Sequence, residues 1–366
     1  MNRYKLNSLL PATITFLIAS LLLSLALLSF GGDALSLARL GTRFSLGDAQ
    51  GTSGYDGQFV YYIARDLNPV GVSKYLDAPA YRYQRILMPL LARILSAGYL
   101  PALPWVLLLL GISSHVIGTW AVGEYLHAWG VNRWFSLVYG LWVGFLLALI
   151  VDLPEPMAYG FIATGWLARH KHHYVISWLL FGLALFTKEV SVLFVAAVWF
   201  NDLLKKHWSE FLGMSLVTII PYGIFQLWLR VVFGQFGIAS GGDLATPFEW
   251  IPFMGLWRMG SSSWIYMLGM LVVFGPAILL PVVWGIGSSV RKIILSEYDE
   301  TSLALLLNGL AIVFLPFSTF RETGGLLRFA CGLVLAVVLF SSRYQLKRVM
   351  NYCVLWLVLN VFLLKP

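Results

Sequence analysis

The chain has 366 residues, of which 59% are hydrophobic and only 11% charged. Soluble globular chains carry about 25% charged residues, so this composition excludes a protein that faces water on all sides. The net charge of +8 is accounted for by lysines and arginines in cytoplasmic loops, and no nucleic-acid partner is expected.

Apolar runs of about 20 residues recur along the length, each enough to cross a ~30 Å hydrocarbon core. The predicted fold class is an all-α polytopic membrane protein, one membrane-embedded domain over 1–366. Eleven spans are expected, at 9–30, 102–127, 134–151, 155–168, 174–187, 190–204, 211–233, 263–289, 301–317, 325–341 and 349–364. The first follows Arg3 and Lys5. Its apolar run exceeds the ~7–15 residues of a signal-peptide core, so it reads as an uncleaved span.

Charge sets the orientation. With the N-terminus inside, the inner turns hold Arg3 and Lys5, Arg133, Arg169 and Lys171, Lys205 and Lys206, Arg291 and Lys292, and Arg343, Lys347 and Arg348. The outer turns are mixed or acidic: Asp152 and Glu155, Lys188 and Glu189, Arg321 and Glu322. The expectation is a multi-pass protein of the cytoplasmic (inner) membrane, N-terminus cytoplasmic. Two longer non-cytoplasmic segments follow, 31–100 and 234–262.

The first of these carries two helix-like stretches, from Asp56 to about Arg65 and from Tyr83 to about Ala97. In the second stretch Arg85, Pro89 and Arg93 recur every four residues among apolar neighbours, a pattern suited to lying in the interface. Segment 234–262, rich in Gly, Pro and Trp, reads as an irregular loop. Cys331 and Cys353 lie in apolar runs without metal-ligand spacing and read as small core residues. His115 and Asn308 are the deepest polar residues and read as packing groups.

The remaining charges gather on one side. Asp56, Arg82, Arg85, Asp152, Glu155, Lys188, Glu189, Arg321, Glu322 and Arg328 all map to the outer face. Charges in or near a bilayer are costly and tend to mark function. Cations there can hold the phosphate of a lipid-linked substrate, and a carboxylate can take a proton from an incoming hydroxyl.

These residues carry a resemblance. The stretch Gly54-Tyr55-Asp56-Gly57-Gln58-Phe59-Val60-Tyr61-Tyr62-Ile63-Ala64-Arg65-Asp66, followed by Tyr81-Arg82-Tyr83-Gln84-Arg85-Ile86-Leu87-Met88-Pro89, resembles the first outer loop of bacterial GT-C glycosyltransferases. It is similar to the cell-surface glycopolymer formation type and, more distantly, to PIG-V-like mannosyltransferases. The turns Leu185-Phe186-Thr187-Lys188-Glu189 and Leu153-Pro154-Glu155-Pro156 and the stretch from Arg321-Glu322 to Arg328 also fit. The resemblance implies an inverting transferase of cell-envelope glycan biosynthesis, with a polyprenyl-phosphate sugar as donor and a lipid, glycan or protein acceptor. In that family an acidic residue of this loop acts as general base or helps hold a metal, a role that carries over only to Asp56. Where many members have paired acids, this chain has Tyr55-Asp56-Gly57, so no metal or other cofactor is expected.

The expected site has Asp56 as the catalytic base, with Arg82, Arg85, Lys188, Arg321 and Arg328 on the donor phosphate. Tyr55, Gln58, Glu155 and Glu189 would contact substrate, and Trp257 is a further candidate sugar contact. Each has a plainer reading. Asp56 could cap the helix beginning at Gly57, and Arg82 and Arg85 could be snorkelling cations. Lys188 and Glu189 could pair with each other across their turn, and Asp152 could cap the span near Pro154. A transporter or flippase of a lipid-linked or anionic substrate is the alternative activity, although it calls for charges along a transmembrane path. A non-catalytic envelope scaffold would leave Asp56 dispensable.

Overall fold

The computed structural model describes residues 3–364, with side chains over 8–363, so the side chains of Arg3 and Lys5 lie outside it. Among the described residues every element is helical and no strand occurs. Five helices are long and apolar enough to cross a membrane: Ser8–Ser29, Leu100–Ala128, Trp208–Phe233, Trp264–Ile294 and Thr323–Arg343. They fall on five of the eleven expected spans.

In chain order the principal helices are α1 (Arg3–Ser29), α2 (Gly57–Arg65), α3 (Pro79–Tyr83), α4 (Leu87–Leu95), α5 (Leu103–Ala128) and α6 (Val143–Leu149). There follow α7 (Glu155–His170), α8 (Tyr174–Thr187), α9 (Val192–Leu204), α10 (Trp208–Phe233), α11 (Met254–Ser262) and α12 (Trp264–Ile294). The last are α13 (Glu300–Val313), α14 (Thr323–Arg343) and α15 (Lys347–Cys353). The other six expected spans fall on helices that are shorter or broken. Segment 134–151 is three pieces, Arg133–Ser136, Leu137–Gly140 and α6, while α15 runs on into a 3-10 helix, Val354–Leu364.

The break in 134–151 has a packing cause. A Cβ on Gly140 would meet Thr15 Oγ1 at 2.2 Å, so this point of the chain is pressed against α1. Trp142 then leaves helical geometry (ψ 124°) and buries its whole indole, whose Nε1 donates to the Leu327 carbonyl at 3.0 Å.

α14 is the axis of the bundle. Its apolar window is 78% buried, against 22% for α1 and for α10, which turn most of their surface outward. Outward rows such as Leu17, Leu21, Leu25 and Leu28 on α1 stay exposed, as lipid-facing residues do. Close crossings inside use small residues: a Cβ on Gly160 of α7 would lie 2.4 Å from the Ser114 carbonyl of α5.

Two helices carry π turns, Ser215–Ile219 in α10 and Gly275–Leu279 in α12. In each, a proline follows two residues after the turn, Pro221 and Pro281. A proline ring pushes against the carbonyl four residues back and offers it no N–H. Those carbonyls belong to Val217 and Ala277, inside the widened turns.

The segment between α1 and α5 holds α2 as expected from Asp56–Arg65, but the expected helix 83–97 begins only at Leu87. Pro89 falls in its first turn, where a missing N–H costs nothing. Gln84–Ile86 is instead a corner between α3 and α4, so Arg85 and Arg93 do not share a helix face. Segment 234–262 is irregular as far as Phe253 and then forms α11, a correction to the loop reading of its last third.

Candidate functional site

Two arginines sit at the corner between α3 and α4. Pro79 starts α3, and Arg82 at its far end stacks on Phe59 of α2, 4.2 Å from the ring centre. Arg85, in the corner, stacks on Tyr81 at 4.3 Å. Both guanidiniums are nearly buried, at 8% and 7% side-chain exposure. Buried charges need partners, and each has a bidentate one. Arg82 donates to both oxygens of Asp77 at 2.7 and 2.8 Å, and Arg85 to both of Glu189 at 2.8 and 2.6 Å.

Asp56 completes the group. It sits 3.0 Å from Arg82 and 3.5 Å from Arg328. Its side chain makes no cap hydrogen bond to α2, which removes the capping alternative. α2 is held in place by a backbone contact: a Cβ on Gly57 would lie 2.2 Å from the Val151 carbonyl. Gln58, an expected substrate contact, is buried and serves the loop instead. It accepts from the Gly41 amide at 3.0 Å and donates to the Ser53 carbonyl at 2.7 Å.

The turn after α8 turns Lys188 and Glu189 outward from each other. Lys188 reaches Glu155 at the start of α7, at 2.9 Å, while Glu189 takes Arg85. The reading of Lys188 and Glu189 as each other's partner is therefore corrected. Arg328 lies between three carboxylates, Asp56, Glu155 and Glu322, each at 3.5 Å. Tyr55 donates to Glu322 at 2.6 Å, and its ring lies 5.1 Å from the Arg328 guanidinium.

Four cations and five carboxylates thus meet from four separate parts of the chain. Of the expected residues, Tyr55, Asp56, Arg82, Arg85, Glu155, Lys188, Glu189 and Arg328 come together. Arg321 does not: it is exposed, and its guanidinium lies over Phe317. Trp257 is 70% exposed and stands apart on α11. Asp152 makes no cap either; its carboxylate is buried without a hydrogen bond, on a left-handed residue (φ 52°). Asp77 and Glu322 were absent from the expected site. The signal for Asp77 was its place just ahead of Pro79, five residues before Arg82.

The contacts fall into two grades. The Arg85–Glu189 and Arg82–Asp77 pairs are short and bidentate, the geometry of a permanent strut. The contacts of Arg328 are all long, so its charge is shared rather than spent. The cluster also has an open edge. Asp56 and Glu322 keep 31% and 51% side-chain exposure, against 1% for Glu155. Beneath Asp56, between Arg82, Arg85 and Pro154, a cavity of about 10 Å³ remains, room for one water.

Burial by itself would raise the Asp56 carboxyl. The charges of Arg82, Arg328, Arg85 and Lys188 outweigh it and hold the group well below the usual carboxylate range. Glu189 is likewise buried, yet Arg85 above all brings it down to about 2. Burial keeps the Tyr55 hydroxyl protonated, as a donor to Glu322. Asp56 is therefore an ionised carboxylate, partly open to a ligand, between two guanidiniums. Such a constellation can hold an anion and accept a proton beside it. Among the described residues, no group of three or more His, Cys, Asp or Glu is placed to hold a metal ion.

Compared with protein-family models, curated proteins and solved structures, the chain matches none.

Proposed function

We propose that the chain is a GT-C-type glycosyltransferase of eleven membrane crossings, with its cluster at the outer face of the inner membrane. It moves a sugar from a polyprenyl-phosphate donor to an acceptor hydroxyl. The observation that carries this reading is Asp56, an exposed-edge carboxylate between Arg82 and Arg328 at one end of an apolar bundle. The opposite ends of α7 and α14 carry Arg169 and Arg343, which supports that orientation.

The chemistry follows from the two grades of contact. The donor phosphate exchanges with Asp56 and Glu322 for the loosely held Arg328, and shares Arg82. The acceptor oxygen then attacks the anomeric carbon from the face opposite the phosphate. The carbon–phosphate oxygen bond breaks, the lipid phosphate leaves with that electron pair, and the hydroxyl proton passes to Asp56. Fixed cations stabilise the charge growing on the leaving phosphate, usually a large share of such catalysis. Before the donor binds, Asp56 is a weak base, because two guanidiniums hold its charge. Once those cations turn to the phosphate, its affinity for a proton rises, so basicity appears when the donor is in place.

The test is sugar transfer by the purified protein in nanodiscs, with a panel of polyprenyl-phosphate sugars and with and without EDTA. Asp56→Asn is expected to lower turnover by about 10²–10⁴-fold, the usual contribution of a general base. It is also expected to leave donor binding as tight or tighter, since Arg82 and Arg328 lose a competitor. Full turnover in Asp56→Asn would sink the assignment, and donor translocation without transfer would move the reading to a flippase.

A further inference from the structure

A second charged concavity lies on another face of α2. It has a volume of about 310 Å³ and is bordered by Tyr62, Arg65, Lys74, Tyr75 and Arg93, with Asp66 at its edge. That is the small end of the range for ligand clefts, roughly 300–1,000 Å³. It shares no lining residue with the cavity at Asp56.

Its electrostatics differ in kind from those of the Asp56 cluster. There, every cation has a carboxylate. Here, among the described residues, Arg65, Lys74 and Arg93 have no ion-pair partner within 4.0 Å. Arg65 and Lys74 lie over the Tyr75 ring, at 5.7 and 5.1 Å, and Tyr75 is itself stacked on Tyr62. Arg93 reaches back to the Arg65 carbonyl at 3.3 Å, which fixes it over the cavity from α4. The one acid, Asp66, is turned to its own chain, where it accepts from the Asn68 amide at 2.9 Å. The cavity is thus a cationic cup whose three charges have no carboxylate opposite them.

Its rim is apolar. Ile94, Leu95, Tyr99 and Leu100, at the junction of α4 with the membrane-long helix Leu100–Ala128, are all exposed. A cationic cup with an apolar lip fits an amphiphile with an anionic head. We infer that this cup binds the net-anionic phosphate head group of a membrane amphiphile, with its tail laid along the exposed Ile94–Leu100 stretch. This site stands independently of the transferase reading, since no residue is common to both.

The experiment uses full-length protein in phosphatidylcholine nanodiscs doped with photoactivatable phosphatidylglycerol, with cross-linked peptides mapped. Labelling is expected to concentrate on 61–75 and 93–100. It should fall about tenfold in Arg65→Gln/Lys74→Gln, the scale of losing charge-assisted contacts to phosphate. Both side chains are exposed, and an unchanged unfolding temperature shows that the fold is intact. A single Arg93→Gln variant, which should also lose label, gives a second reading. Label spread evenly over the bundle, or undiminished in the variants, overturns the proposal. Equal labelling by photoactivatable phosphatidylcholine overturns it as well, because the rim alone would then be the trap. Displacement by millimolar inorganic phosphate upholds the phosphate site with a free ligand, and resistance to it upholds the lipid head group.

Discussion

Lys188 and Glu189 are adjacent, oppositely charged, and not each other's partner. Extended backbone at Lys188 (φ −157°, ψ 125°) sends the two side chains to opposite neighbours, Glu155 and Arg85. Charges so buried are held by their partners, and breaking one pair is much worse than removing both. Glu189→Gln is expected to destabilise by about 3–5 kcal/mol, because Arg85 would be left buried and unpaired. Arg85→Met/Glu189→Leu should cost far less than that. Thermal unfolding in detergent decides, and a double variant worse than the single would refute the account. Asp152 is the converse case, a buried carboxyl with no partner, held up by desolvation. A group raised in the folded state stabilises only below its unfolded value, near 3.8, and burdens the fold as the pH climbs. Asp152→Asn keeps a residue tolerant of the left-handed backbone and cannot ionise. It is expected to gain about 1 kcal/mol or more at pH 7, a gain that should vanish near pH 3.5.

At the scale of elements, the site depends on how closely α2 lies against the turn between α6 and α7. Gly57→Ala would drive a Cβ into the Val151 carbonyl, 2.2 Å away in backbone that cannot step aside. The expected result is a loss of about 2 kcal/mol or more, as for other overpacked sites, together with displacement of Asp56. Gly223→Ala in α10 is the control, since nothing lies within 4 Å of its Cβ position. It should be neutral or gain about 0.5–1 kcal/mol from helix propensity. Equal losses in the two variants would show that the packing argument is mistaken. The same scale explains what the apolar pattern alone hid. Segment 134–151 is apolar enough for a span, yet a close approach at Gly140 and the buried indole of Trp142 break it into pieces. The stretch after Tyr83 alternates as one helix would, but a proline in the first turn moves its start to Leu87.

The whole molecule is tied at both ends by charge. Opposite the Asp56 cluster, Arg169 of α7 pairs with Asp202 of α9, and Arg343 of α14 with Asp299 before α13. The acid limb of stability should report the first cluster. Asp56 and Glu189 are both depressed in the folded state. Their contribution is complete above the ordinary carboxylate range and drains away as the pH falls through it, for Glu189 between 4.5 and about 2. Thermal unfolding from pH 7 to 2 should therefore fall steeply below about pH 4.5, and less steeply in Arg85→Met/Glu189→Leu. Identical slopes would show that these groups do not govern the acid limb.

Composition and periodicity were enough to determine a helical, membrane-long architecture, because burial of apolar runs in lipid follows from local sequence. They also placed Asp56, Arg82, Arg85, Glu155, Lys188, Glu189 and Arg328 on one side, since charge is expelled from spans toward their ends. Partner choice was beyond them. Which cation meets which carboxylate depends on residues up to 272 positions apart, as with Asp56 and Arg328. It depends too on a backbone twist at Lys188 that no residue type dictates. Only the tertiary structure assigned Asp77 to Arg82, set Arg321 and Trp257 apart, and turned Gln58 into a brace. Those outcomes are set by packing at atomic distances, where a glycine contact or a bent turn decides what a side chain can reach.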